Sequence, residues 1–214
     1  MLTLRCLSCL CSARCAACWT LSNITAGNHA QIAECIDSGC MAIIMEALRD
    51  DSAPRNIRQE AAWCLSNAIT GGSVDQLVGF VDHGVFAALA SILGMPPARV
   101  VRGGIESLTR ILTVGKDLPP GMRVLSDSGA TISRDSASDP NPLVAPARAA
   151  CLNALKHLRD CGDYDDDLAP LVEFFPDDGL EASDQADEEE ADDEQDEDGE
   201  EDAVETTRRR GGRG

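Results

Sequence analysis

Apolar positions along this chain recur with helical spacing in short blocks, and most blocks close on glycine. Residues 28–39 place Ile32, Cys35 and Ile36 on one side of a short helix, with Gly39 as its stop. Residues 40–49 put Ile43, Ile44, Ala47 and Leu48 on one face of a second helix. A polar break follows, in which Pro54 is either a helix stop or a first-turn residue of the next element. A third and longer helix, over about 55–69, carries Glu60, Trp63 and Asn67 and ends at Gly71-Gly72. The cycle then restarts. Residues 73–82 carry Leu77, Val78 and Val81 and stop at Gly84. Residues 85–93 end at Gly94-Met95-Pro96-Pro97, and 98–114 end at Gly115. Upstream, 15–26 form the third helix of an earlier cycle, of which 1–14 are too short to supply the rest.

One phrase occurs twice within this pattern. Residues 17–28 read ACWTLSNITAGN and residues 61–72 read AAWCLSNAITGG. Their Trp residues, Trp19 and Trp63, are the only two in the chain and stand 44 positions apart. Each precedes an Asn by four positions, Asn23 and Asn67, a spacing that stacks both side chains on one helix face. A period in the forties predicts an all-α solenoid of HEAT or armadillo type. Aligning the closing glycines of the next cycle puts Glu106 where Trp63 stood and Arg110 where Asn67 stood, so the third copy loses the pair. A Trp on an apolar helix is ordinarily a core residue. Recurrence with Asn at the same offset, beside separate core positions Leu21 and Leu65, argues instead for an exposed ladder.

Beyond residue 116 the pattern changes. Residues 117–146 are rich in Ser, Asp and Pro and are expected to form a disordered insertion. Helical spacing returns over 147–160, with Ala150, Cys151, Ala154, Leu155 and Leu158, as the last helix of a degraded fourth repeat that closes by 162. The expected organisation is therefore repeats over 1–116, the insertion, that helix, and an acidic tail over 163–214. Val172 to Phe175 form an apolar island able to dock on the last repeat. The net charge of -19 is concentrated late, since 14 of the 19 residues from Asp184 to Asp202 are Asp or Glu. Such a tract has too little apolar surface to offset ordering and is expected to be disordered. The chain ends in RRRGGRG, a small basic patch. Overall acidity disfavours direct nucleic-acid binding and favours cationic protein partners.

The Trp/Asn phrases, together with Gln59-Glu60-Ala61-Ala62 before the second, closely resemble the importin-α (karyopherin-α) family of armadillo-repeat nuclear import adaptors. The resemblance covers roughly residues 15–116 and is similar to the family's C-terminal repeats. It implies a right-handed superhelical solenoid of about three to four repeats whose third helices line a groove for Lys/Arg-rich nuclear localisation signals. In that reading Trp19 and Trp63 form an apolar slot for a cationic side chain, with cation–π attraction of about 0.5–2 kcal/mol per ring. Asn23 and Asn67 would bond the peptide backbone, and Ser22 and Ser66 are further peptide-binding candidates. Glu60 matches an acidic position of the family's groove, Glu106 is a second candidate, and Ala16 stands where the first phrase lacks its carboxylate. The resemblance also implies importin-β and an export receptor as partners, and a nuclear and cytoplasmic location. The Arg/Lys-rich importin-β-binding segment is absent from the sequence. An armadillo scaffold without import activity, and an acidic-tailed chaperone for cationic proteins, are the alternatives.

Other chemistry has little support. Cys6, Cys9, Cys15 and Cys18 make two C-x-x-C pairs only five residues apart, too close for the excursion a zinc site needs. With no convincing export signal in the apolar Met1 to Cys11, the ten cysteines are expected to be reduced packing residues in a cytosolic or nuclear setting. His29, His83 and His157 stand apart as surface or helix-end residues. Asp163 to Asp167 lack the EF-hand alternation and read as a solvated acidic loop. No catalytic residue, metal site or cofactor is expected, and the chain is read as a non-enzyme.

Overall fold

The computed structural model describes residues 2–118, 123–125, 131–133 and 141–180, with side chains over 12–118 and 141–180. Nine helices account for nearly all of it: α1 (Leu2–Thr25), α2 (His29–Asp37), α3 (Cys40–Arg49), α4 (Arg55–Gly71), α5 (Val74–Asp82), α6 (Val85–Leu93), α7 (Ala98–Asp117), α8 (Val144–Cys161) and α9 (Asp165–Val172). Two full three-helix cycles, α2-α3-α4 and α5-α6-α7, follow α1, the third helix of a preceding cycle. α1 is one continuous helix of 24 residues rather than a short piece with a separate start.

The repeat is visible in its caps as well as its core. Asn28 accepts the Gln31 N–H while Gln31 Oε1 takes the Asn28 N–H at 2.9 Å, a reciprocal capping box at the start of α2. Ser73 and Gln76 repeat it at the start of α5. Gln76 Nε2 also donates to the His29 carbonyl at 2.8 Å, tying the two boxes together. The tight turns into α3 and α6 both pass through a left-handed glycine, Gly39 at φ 76° and Gly84 at φ 83°. A Cβ there would strain the backbone, so glycine marks the same corner of each cycle.

Adjacent third helices lie side by side, α1 on α4 and α4 on α7, while the second helices α3 and α6 form a neighbouring row. Between the rows runs one apolar core that includes Ile32, Leu48, Ile57, Leu65, Ile69, Leu89, Ile92, Leu108 and Ile111. Each such residue contributes about 1.5–3 kcal/mol by leaving water. At the edge of the stack beside α1 and α3, a cavity of about 220 Å³ is lined by Cys18, Leu21, Cys40, Ile44 and Ile57, with Ile43 exposed on its rim.

The last helices depart from the expected order. The helix foreseen over 147–160 packs mainly on α6, so α8 continues the second-helix row rather than the third. The third-helix position beside α7 is taken by α9. The acidic run expected as a loop is the first turn of α9, where Asp165, Asp166 and Asp167 complement the partial positive charge of free N–H groups. The apolar island past α9 is docked as expected, with Phe174 and Phe175 buried. Arg148 lies 5.8 Å from the Phe175 ring and pairs with Asp178, and Lys116 lies 4.5 Å from the Phe174 ring and pairs with Glu173. Within the insertion, Arg123–Leu125 and Thr131–Ser133 pair as a short antiparallel ladder. The acidic tract and the Arg/Gly end lie outside the described residues.

Candidate functional site

The residues singled out in the sequence fall along the row α1, α4, α7. Trp19 projects from α1 and is 60% exposed. It shares a cleft of about 450 Å³ with Ser12, Cys15 and Ala16 of its own helix and Asn56 and Glu60 of α4. Trp63 is absent from that cleft. It is partly buried, and its ring faces α7, where Arg99 stands 5.9 Å from the ring centroid and a Cβ on Gly103 would lie 3.7 Å from Cζ3. Each Trp is therefore paired with the next helix along. Trp19 meets Asn56 and Glu60, and Trp63 meets Arg99 and Gly103.

The Asn residues are already partly engaged. Asn23 Nδ2 donates to the Trp19 carbonyl at 2.9 Å within α1. Asn67 Nδ2 donates across helices to the Ser22 carbonyl at 2.9 Å, so it fastens α4 to α1. Arg110, at the equivalent position in α7, does the same for the next interval: Nε reaches the Ile69 carbonyl at 3.2 Å and Nη2 the Gly72 carbonyl at 3.3 Å. Loss of Asn at this rung thus keeps the inter-repeat tie while replacing an amide by a cation. Ser22 and Ser66 are buried, and Ser22 Oγ donates to the Trp19 carbonyl at 2.8 Å. Both serve helix packing at the floor of the row rather than its open side.

Glu106 does not join either Trp. It lines a larger cavity of about 720 Å³ with Arg102, Thr109, Arg110, Asp166 and Asp167. Arg102 Nε donates to Asp167 Oδ2 at 2.8 Å, and its guanidinium lies 5.8 Å from the Tyr164 ring. The charges there are mixed, so Glu106 is not an isolated acid. Arg55 and Gln59, on the neighbouring flank of α4, both donate to the Pro96 carbonyl, at 3.0 and 2.9 Å. This leaves Asn56 and Glu60 as the α4 groups turned toward the Trp19 cleft. Cys18, next to Trp19 in the chain, has its thiol pKa pushed up by burial, with Cys15 and Glu60 adding to the shift. Arg99 was missed in the sequence; an offset of 43 from Trp63 to Glu106 maps it onto Asn56, which was the available signal.

Residues 28–70 match the armadillo/beta-catenin-like repeat. Importin subunit alpha-5 of Arabidopsis thaliana is 37% identical over 100 residues, which are 47% of this chain and 19% of that protein. Over that stretch the chain is similar to importin-α. Importin subunit alpha-4 of the same plant is 40% identical over 100 residues, 47% of this chain and 18% of that protein. The chain thus spans about a fifth of the length of the importin-α subunits it matches. Among solved structures, a designed armadillo repeat protein, YIII(Dq)4CqI, is similar with a TM-score of 0.43 and 20% identity, over 74% of this chain and 66% of the other.

Proposed function

We propose that the chain is an importin-α-type adaptor, or part of one, that binds Lys/Arg-rich peptides of the nuclear localisation kind across α1 and α4. The observation that carries this reading is the cleft between Trp19 and Glu60. A Lys or Arg stem laid on the exposed indole would bring its charge to the Glu60 carboxylate. Cation–π attraction supplies about 0.5–1 kcal/mol at an exposed site, and the carboxylate a comparable amount. The second amide N–H and the oxygen of Asn23 and Asn67 supply backbone contacts that hold an extended peptide in register. On this reading the cargo is a protein with a basic signal, the location is nuclear and cytoplasmic, and importin-β and an export receptor are the partners of the whole adaptor.

Fluorescence polarisation with a labelled Lys-rich peptide tests the site. Trp19→Ala and Glu60→Gln should each weaken binding about two- to five-fold, while Glu106→Gln should leave it unchanged. Equal affinity for wild type and Trp19→Ala would rule the cleft out.

A further inference from the structure

The two Trp rungs have opposite electrical character, and the difference rests on four residues. Subtracting 43 positions along the third helices pairs Arg99 with Asn56 and Gly103 with Glu60. At the first rung the indole therefore faces an amide and a carboxylate, and the cleft beside it is open. At the second rung the carboxylate is replaced by glycine, and the amide by an arginine whose guanidinium lies 5.9 Å from the Trp63 ring. The ring face that would receive an incoming cation already has one. Arg99 is exposed and has no carboxylate within ion-pair distance among the described residues. The nearest acid on its own helix face, Glu106, lies two turns away in the cavity with Arg102 and Arg110.

Resting on the basic-peptide reading above, we infer that Arg99 is a specificity-determining residue that makes the Trp63 rung select a carboxylate, so that the groove reads a bipolar motif. A Lys or Arg occupies the Trp19–Glu60 cleft, and an Asp or Glu reaches the Arg99 guanidinium. Neighbouring packed helices are about 8–10 Å apart and an extended peptide rises about 3.3 Å per residue, which separates the two charges by two or three positions. A second cation at that spacing meets Arg99 head-on, whereas an anion gains a charge-assisted hydrogen bond to a guanidinium that lies 5.9 Å from the Trp63 ring centroid.

The test uses two labelled peptides that share a single Lys and differ only three residues later, with Glu in one and Lys in the other. Wild type should bind the Glu peptide about five-fold more tightly at low salt. Arg99→Glu should invert the order, and Arg99→Met, which keeps the stem, should level it. Both substitutions are at an exposed position, and a circular-dichroism melt checks that the fold is retained. The same ranking of the two peptides by wild type and Arg99→Glu overturns the inference while leaving the Trp19 cleft standing. Failure of both peptides to bind, or indifference of both to Trp19→Ala, overturns the basic-peptide reading and this inference with it. As an independent readout, in a Trp19→Phe background Trp63 is the sole indole. Adding the Glu peptide there should change Trp63 emission, and Arg99→Met should abolish that change; an unaltered response would count against the proposal.

Discussion

Two helical glycines should respond to the same substitution with opposite sign. Gly79 lies in α5, where a Cβ would meet nothing within 4 Å. Alanine there gains helix propensity and restricts the unfolded chain, about 0.5–1 kcal/mol in favour of folding. Gly104 lies in α7, where a Cβ would come 2.7 Å from Ile92 Cγ2 and 3.4 Å from Ile92 Cβ. Ile92 is fully buried in α6, and a β-branched side chain on a helix has essentially one rotamer, so it cannot swing aside. Overpacking of this kind costs about 1–3 kcal/mol. Less the propensity gain, Gly104→Ala should destabilise by about 0.5–2 kcal/mol. For an array of this size each kcal/mol moves the melting temperature by about 2–4 °C. Thermal melts by circular dichroism should therefore rise by about 1–4 °C for Gly79→Ala and fall by about 1–8 °C for Gly104→Ala. Ile92→Ala removes the clashing methyl, so the double variant with Gly104→Ala should lose less than the sum of the singles. Equal stabilisation by both glycine replacements, or strict additivity, would refute the close approach of α6 and α7.

Burial pushes the Cys64 thiol up to about 12, offset in part by a hydrogen bond from Thr25. A group that holds its proton more tightly folded than unfolded stabilises fully below its unfolded value, about 8.5, and that contribution is lost as pH rises toward about 12. The melting temperature should thus fall across that alkaline window, and Cys64→Ala should flatten the fall while starting from a lower value. Phe175→Ala removes a fully buried ring at the α8 end and should cost about 3–5 kcal/mol by urea denaturation. A loss below about 1 kcal/mol would mean that the segment after α9 is not part of the cooperative fold.

Much of the array was legible because each corner of the cycle leaves a local mark. Gly39 and Gly84 stop their helices for backbone reasons visible in one residue. The apolar spacing of Ile44, Leu48, Ile57 and Leu65 shows which faces meet. The end of the fold was harder. Three Asp residues disfavour a helix interior but suit a first turn, so Asp165 to Asp167 pointed to a loop when they open α9. Which row α8 joins depends on packing partners 60 to 70 positions away, to which periodicity within the helix is blind. The Trp ladder was legible as a repeat, but its surroundings were not. Each indole is answered by the following helix, and the identity of that answer, Glu60 in one case and Arg99 in the other, depends on register between helices.

The two edges of this stack are unlike. Beside α9, Phe174 and Phe175 are folded inward and topped by ion pairs from Lys116 and Arg148. Beside α1 and α3, an apolar cavity opens with Ile43 64% exposed on its rim. An array whose stability is a sum of unit and interface terms gains from a new neighbour only where an interface is open. Modular lengthening therefore has a direction here. A consensus repeat fused ahead of α1 would add one favourable coupling to the whole series. The same unit fused behind α9 would meet no open apolar face among the described residues and would gain no such coupling.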